Sequence, residues 1–532
     1  MCLPPHENRE RKNIAPRGRV SGTPDTIARL LDRGVADATA LSAPGASSLT
    51  YGALRTLIAD TVGTLHRAGI DAAARVAIVL DNGPEMAAAF LGIGSYTTVA
   101  PLNPGYRADE FEFYLSDLQA ELLVVASASA SPAVEVANRL GIQIAHLVAH
   151  PERGAGSFTL ELPGTMAARG EAPSRGPRRA GPNDVALVLH TSGTTSRPKI
   201  VPLLQRNVCS SARSVAATLR LTDVDVGLCV MPLFHIHGLI AALLAPLSVG
   251  GTVCCTPGFN ALKFFSWVAE VRPTWYTAVP TMHQTILARA AKNREVVEAS
   301  HLRFVRSSSS AMPTRVIAEL ENVFRAPLIE AYGMTEAAHQ MASNPLPPGE
   351  RKPGSVGLAA GPQVRVVDEQ GNSTPADVPG EIVIRGDNVI TAYENNPDAN
   401  ADAFIEGWFR TGDQGTMDAE GYLTITGRLK EIINRGGEKI SPREVDEIIM
   451  SHPAVHQCIT FAVPHDMLGE DVAAAVVLRE GHQADDRELR QFAKARLADF
   501  KVPRTILIVV EIPVGATGKL QRIGLAKKLG LA

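Results

Sequence analysis

From Tyr51 to Ser307 the chain alternates helix-length amphipathic segments with short apolar, β-rich runs, and few architectures accept that rhythm. Tyr51 to Ala68 carries helical periodicity, Arg75 to Leu80 reads as a strand, Pro84 to Ser95 as a helix and Leu122 to Ala126 as a strand. After an Arg/Gly/Pro-rich linker from Arg169 to Pro182, the alternation resumes with strands at Gly227 to Met231, Gly251 to Cys255, Trp275 to Val279 and Phe304 to Ser307. Repeated strand–helix alternation predicts α/β layers with largely parallel sheets.

Near residue 362 the texture changes. Val364 to Val367, Gly380 to Arg385 and Gly421 to Thr426 are short strands joined by Gly, Pro and Asp turns without helices between, which predicts a small β subdomain. After Gly427 a compact α+β segment of about a hundred residues follows, the size of one small domain. Its first helix is marked by Ser441-Pro442-Arg443-Glu444, a capping box with Pro at the first helical position, and Asp485 to Glu488 repeats the capping logic. The expected organisation is a disordered terminus over 1–20, an N-terminal part over 21–428 holding two α/β subdomains plus the β subdomain, and a C-terminal domain over 429–532.

Composition narrows the function classes. A net charge of -3 and 5% aromatic residues argue against a nucleic-acid or membrane-surface partner, which would favour a strongly basic face or stacking platforms. The apolar stretch from Gly238 to Val253 is short for a membrane span and carries Pro246, so it reads as a buried helix and strand. Six cysteines without Cys-x-x-Cys or Cys/His spacing read as buried thiols in a reducing compartment. The N-terminus lacks the apolar stretch of a signal peptide, and the chain ends Gly-Leu-Ala, which is no peroxisomal address. The cytoplasm is the expected location. Oligomeric state leaves no mark in the sequence.

The sharpest local feature is His190-Thr-Ser-Gly-Thr-Thr-Ser-Arg-Pro-Lys199. Five hydroxyl residues and one Gly can wrap phosphate oxygens with N–H and O–H groups while the Lys supplies charge. The flanks, Val185 to Leu189 and Ile200-Val201, are β-like, so the loop joins two strands, unlike a Walker A loop, whose Lys opens a helix. Taken alone, such a loop could equally be a Ser/Thr-rich surface turn.

Further segments suit the same chemistry. Glu330-Ala-Tyr-Gly-Met-Thr-Glu336 follows a strand and opens a helix, so a turn there can offer Tyr332 to adenine, Thr335 to a phosphate and Glu336 to Mg²⁺, which takes oxygen ligands. Trp408-Phe-Arg-Thr-Gly-Asp413 ends in a carboxylate on a Gly turn, suited to ribose hydroxyls. Gly427-Arg428-Leu429-Lys430 lies where the β subdomain meets the C-terminal domain, and Pro513-Val-Gly-Ala-Thr-Gly-Lys519 projects one Lys from a Gly-flanked loop. Each has an ordinary alternative: a first-turn acid, a turn Asp, a solvated Lys.

In that order and at those distances, the motifs resemble the acyl-adenylate-forming, AMP-binding superfamily, which includes the acyl-CoA synthetases, over about residues 25 to 525. The resemblance implies ATP and coenzyme A as co-substrates. It assigns Thr191, Ser192, Gly193, Thr194, Thr195 and Lys199 to the ATP phosphates, and Ser309, Ser310, Glu330, Ala331 and Tyr332 to the adenine site. Thr335 would touch phosphate, Glu336 would hold Mg²⁺, and Asp413 and Arg428 would bind ribose. Lys430 matches the hinge about which the C-terminal domain rotates, Gly436 and Gly437 the thiol path, and Lys519 the lysine that stabilises adenylation. A non-catalytic nucleotide sensor would need neither Lys519 nor the hinge.

Within the superfamily the resemblance runs to oxalyl-CoA synthetases, through Phe111-Glu-Phe-Tyr-Leu-Ser-Asp117, the loop with Ser196, Thr274 to Gln284, and Met334 to His339 continuing to Pro348. It implies oxalate as the acid, with malonate, another small carboxylate or an aryl acid as alternatives. The second carboxylate of a dicarboxylic acid needs donors or positive charge in place of water. His235, His237, Ser307, Ser308 and His339 are the acyl-site candidates, His235 also because the family places a gating residue there. Two departures stand out: Ile200 where a Gly is usual, and four consecutive serines at the adenine site.

Overall fold

The computed structural model describes residues 25–162, 177–191, 198–513 and 521–532. The expected disordered terminus and part of the 169–182 linker lie outside these residues.

Two large sheets dominate. In a nine-stranded sheet, Thr39–Ser42, Thr252–Cys255, Val226–Cys229, Trp275–Ala278, Phe304–Ser307 and Leu328–Met334 are successive parallel neighbours, with antiparallel strands at both edges. In a seven-stranded sheet, Arg75–Val79 pairs in parallel with Thr98–Pro101 and Leu122–Ala126. The α/β expectation holds, and the edges of the strands expected from Arg75, Leu122, Gly227, Gly251, Trp275 and Phe304 agree to within two residues.

Burial explains why these segments fold as they do. The helix Tyr51–Arg67 turns Tyr51, Leu54, Ile58 and Leu65 inward, and Tyr51 donates its phenol to Gly251 O at 2.7 Å, tying helix to sheet. Pro84–Gly94 is buried on nearly every face because it lies inside the shared core, where each large apolar side chain contributes about 1.5–3 kcal/mol.

The apolar stretch after His237 folds as a π-helix, His237–Leu244, then the short helix Ala245–Leu247 and the strand Thr252–Cys255, all mostly buried. Gly238 is required there, since a Cβ would meet Pro232 O at 2.1 Å. Among the described residues no helix is long and apolar enough to cross a membrane.

The β subdomain is a five-stranded antiparallel sheet with two corrections. A helix, Pro397–Ala403, interrupts it, and the Gly turn expected at Asp413 lies inside its longest strand, Trp408–Met417. Gly412 sits inside that strand at φ 71°, a conformation favouring glycine, so a glycine that reads as a turn is a local kink in the ladder.

The last sheet combines Ile433–Arg435, Glu438–Ile440, Val455–His465, Gly469–Leu478 and Thr505–Ile508, packed on the helices Pro442–Met450 and Asp486–Lys494 through Ile433, Val445, Ile449, Val472 and Leu489. Asp485 caps its helix, accepting from Glu488 N at 2.7 Å. The box at Ser441 does not form. Pro442 does open the helix, but the Ser441 hydroxyl donates instead to Thr426 O, pinning the helix start to the strand Leu423–Arg428.

Candidate active site

The phosphate-loop candidate has the expected frame. Val185–Thr191 and Lys199–Leu204 are antiparallel, with Thr191 opposite Lys199, so both feet of the loop are held by a ladder. Ser192, Gly193, Thr194 and Thr195 lie outside the described residues. Ile200 faces His190 across the ladder and is buried in the core beside Val188 and Phe111, so its side chain anchors the loop's exit. His190 holds the other foot: its Nε2 lies 3.1 Å from Asp117 Oδ2, and burial keeps its pKa below the usual imidazole value.

Lys199 reaches across to Tyr393, its Nζ 4.3 Å from the ring centre, and the Tyr393 phenol donates to Glu336 Oε1 at 2.8 Å. One aromatic ring thus touches both the loop cation and the buried carboxylate. Burial pushes the Glu336 carboxyl up, and the Tyr393 hydrogen bond and the charges of Arg428 and Lys199 pull it back. Burial likewise lowers the Lys199 ammonium.

The Glu330–Glu336 segment corrects the sequence reading. It is the strand Leu328–Met334 itself, continuing into a single 3₁₀ turn, Thr335–Ala337, rather than opening a helix. The chain then doubles back as His339–Ser343, with Ala338 and His339 at φ 47° and 99°. Gly333 permits this reversal, because a Cβ would meet His339 O at 1.9 Å. Thr335 is half-buried and Glu336 buried on this turn. The Glu330 carboxyl is raised by burial to about 7 and accepts from Gly354 N at 3.1 Å.

Tyr332 and Ala331 are buried, and the Tyr332 phenol donates to Asp413. Arg428 Nε donates to Asp413 Oδ1 at 2.8 Å, the two residues being cross-strand partners. Tyr332, Asp413 and Arg428, three of the seven residues assigned to the nucleoside, therefore form one bonded chain. Each carboxylate oxygen has a further lone pair, so Asp413 can still accept from hydroxyls.

The acyl-site candidates divide. His237 and His339 stack, centroids 4.9 Å apart and planes within 17°, and His237 Nδ1 lies 3.0 Å from Ser309 Oγ. Ser308 donates to Ala331 O at 3.0 Å, Ser307 Oγ is buried without a partner, Ser309 has φ 76°, and Ser310 is exposed. His235 is outside this stack, half-buried with its ring centre 4.6 Å from that of Phe234.

Gly436 and Gly437, at φ 60° and 99°, form the two-residue turn between Ile433–Arg435 and Glu438–Ile440, a geometry typical of tight hairpins. Lys430 is exposed on the 3₁₀ turn Leu429–Glu431. Lys519 lies outside the described residues. Just beyond its segment, Arg522 pairs with the buried Asp446 at 2.5 Å and with Glu431 at 3.4 Å.

Sequence reasoning missed Tyr393 and Arg306. Tyr393 stands in a polar loop with no signal. Arg306 did give one, a lone charge inside the apolar strand Phe304–Ser307.

Comparison with known proteins agrees with this geometry. Residues 31–394 match the family model for AMP-binding enzymes, and 444–519 match the AMP-binding enzyme C-terminal domain. The chain is 43% identical over 506 residues to oxalate–CoA ligase of Arabidopsis thaliana, covering 94% of this chain and 97% of that one. It is 43% identical over 466 residues to oxalate–CoA ligase of Saccharomyces cerevisiae, covering 84% and 85%. The ATP-bound crystal structure of MatB from Rhodopseudomonas palustris superposes with a TM-score of 0.85 at 28% identity, over 95% of this chain and 99% of that one.

Proposed function

The chain belongs to the AMP-binding enzyme family, and on that premise we propose that it is an AMP-forming acid–coenzyme A ligase whose acid is oxalate. The observation that carries the reading is the Tyr393 ring, which joins Lys199 of the hydroxyl-rich loop to the buried Glu336. A cation and a carboxylate held together on one rigid ring suit a bound triphosphate and its counter-ion. The choice of oxalate is supported by the identity to the two oxalate–CoA ligases.

In the first half-reaction a carboxylate oxygen of the acid attacks the α-phosphorus and pyrophosphate leaves. Two anions must approach, so the chain's part is to hold them and offset charge as it builds, usually the largest catalytic contribution. Lys199 and the 191–195 hydroxyls cradle the leaving phosphates, Tyr332, Asp413 and Arg428 hold the nucleoside, and Lys519 screens the attack. Glu336 and Thr335 are hard oxygen donors that fit Mg²⁺, an ion usually held by one or two carboxylates plus nucleotide phosphates. Bound with ATP, Mg²⁺ neutralises phosphate charge. In the second half-reaction the thiol attacks the mixed anhydride and AMP leaves.

The same space cannot admit Lys519 and the thiol together. A rotation about Lys430 that exchanges Lys519 for the Gly436–Gly437 turn answers this, with the domain boundary between 428 and 429. The five described cysteines are buried and free, which supports a reducing, cytoplasmic setting.

A panel of oxalate, malonate, benzoate and a fatty acid, with AMP and acyl-CoA both measured, tests the reading. Oxalate is expected to give the highest kcat/KM. Strong turnover of a longer acid beside little with oxalate would end the oxalate assignment, and AMP from none of them would end the ligase assignment.

A further inference from the structure

Arg306 is wholly buried at the carboxyl end of the parallel strand Phe304–Ser307. No carboxylate among the described residues forms an ion pair with it, and only burial shifts its guanidinium, down to about 9, so it stays charged at neutral pH. A buried cation without a counter-charge is costly, and an arriving anion would offset that cost.

Its hydrogen bonds point to where that charge arrives. Arg306 Nη1 lies 3.3 Å from His237 Nε2 and 3.3 Å from Thr277 Oγ1, and Nη2 lies 3.1 Å from His339 Nε2 and 3.2 Å from Gln340 Oε1. Its Nε is buried without a partner, as is the neighbouring Ser307 Oγ. A guanidinium only donates, so both imidazoles accept at Nε2 and carry their proton on Nδ1. The His237 proton then goes to Ser309, beside the segment assigned to the nucleotide. One cation thus lies against the Nε2 edge of both stacked histidines, sharing that of His237 with Thr277 Oγ1, 2.7 Å away.

The location fits a ligand. The strands ending at Cys229, Ala278, Ser307 and Met334 are parallel neighbours, and the cluster lies at their carboxyl ends, where open α/β sheets bind ligands.

We propose that Arg306, acting through His237 and His339, is the counter-charge for the second carboxylate of the acid and makes the enzyme select dianionic acids over monoanionic ones. This rests on the acid–coenzyme A ligase reading. Arg306 is a positioning residue: the histidines and serines meet the carboxylate, and the guanidinium behind them supplies the field.

The test compares oxalate with oxamate, the same-sized acid in which one carboxylate is a neutral amide. kcat and KM for each are measured by AMP release in the wild type, Arg306→Met and Arg306→Lys. The wild type is expected to prefer oxalate. Arg306→Met is expected to raise KM for oxalate about 10–100-fold, the scale of a lost charge-assisted contact, and KM for oxamate by clearly less, so that the preference for oxalate falls. Arg306→Lys is expected to recover part of the preference.

Equal losses for both acids, or an unchanged preference, would overturn the proposal. Should Arg306→Met fail to fold, Arg306→Lys and the wild-type ratio still decide, since a wild type indifferent to the amide has no such counter-charge. If malonate is adenylated and oxalate is not, the oxalate assignment falls and the proposal is judged on malonate against malonamate. AMP from no acid defeats both.

Discussion

Arg428 meets Asp413 across 2.8 Å as its cross-strand partner, at the last residue before the turn that carries Lys430. The strand that ends the β subdomain is therefore anchored on the carboxylate that also takes the Tyr332 phenol. Asp413→Asn keeps the shape and removes the charge. It should weaken AMP and ATP binding about 10–100-fold, the range for a lost charge-assisted hydrogen bond, with KM for the acid little changed. Calorimetric titration with AMP checks this, and unchanged affinity would remove Asp413 from the nucleotide site.

Glu336 is raised by burial, and its bond from Tyr393 is one of the interactions that lower it again. In the role proposed for Glu336 the working form is the carboxylate, so activity should be lost as pH falls through its folded pKa. Tyr393→Phe removes a lowering contact, so the acidic limb of kcat/KM against pH should move to higher pH. A limb that stays in place or moves down would separate Glu336 from the reaction.

Burial holds Asp446 up to about 6, against about 3.9 for an unfolded Asp, and Arg522 is the chief charge pulling it down. Because the folded pKa is raised, the carboxyl contributes most stability below about pH 4 and loses that contribution as pH rises through about 6. Arg522→Met leaves the buried charge unpaired and should cost about 3 kcal/mol at pH 7. The deficit should shrink toward pH 5, where Asp446 becomes protonated. Hydrogen exchange in the strand Val455–His465 reads this locally, and a pH-independent deficit would show that the pair is not its cause.

Lys519→Ala should abolish acid-dependent pyrophosphate exchange while thiol transfer from preformed acyl-adenylate persists. Comparable losses in both half-reactions would contradict the division of labour between Lys519 and the Gly436–Gly437 turn.

What the sequence made legible follows from what local patterns encode. Strand–helix alternation gave the sheets, since periodicity reports burial directly, and the residue types flanking 192–197 identified two strands, which pair with each other. Glu330–Glu336 and Trp408–Asp413 were misread because their glycines serve close approach and kinking within strands, which the sequence does not distinguish from turns. Ser441 was misread because its hydroxyl had a tertiary acceptor, Thr426 O, that outcompetes the local cap. His237 and His339 were singled out separately, but their stacking depends on a chain reversal at Gly333. Arg306 and Tyr393 act through partners 69 and 57 positions away, respectively, and no local signal carries such pairings.

The central claim is that the acid's own oxygen attacks the α-phosphorus of ATP. Turnover of ¹⁸O-labelled oxalate with ATP and coenzyme A, followed by mass spectrometry of the nucleotide product, tests it directly. The account predicts AMP carrying one ¹⁸O in its phosphate. Unlabelled AMP, or label in inorganic phosphate beside ADP, would contradict it.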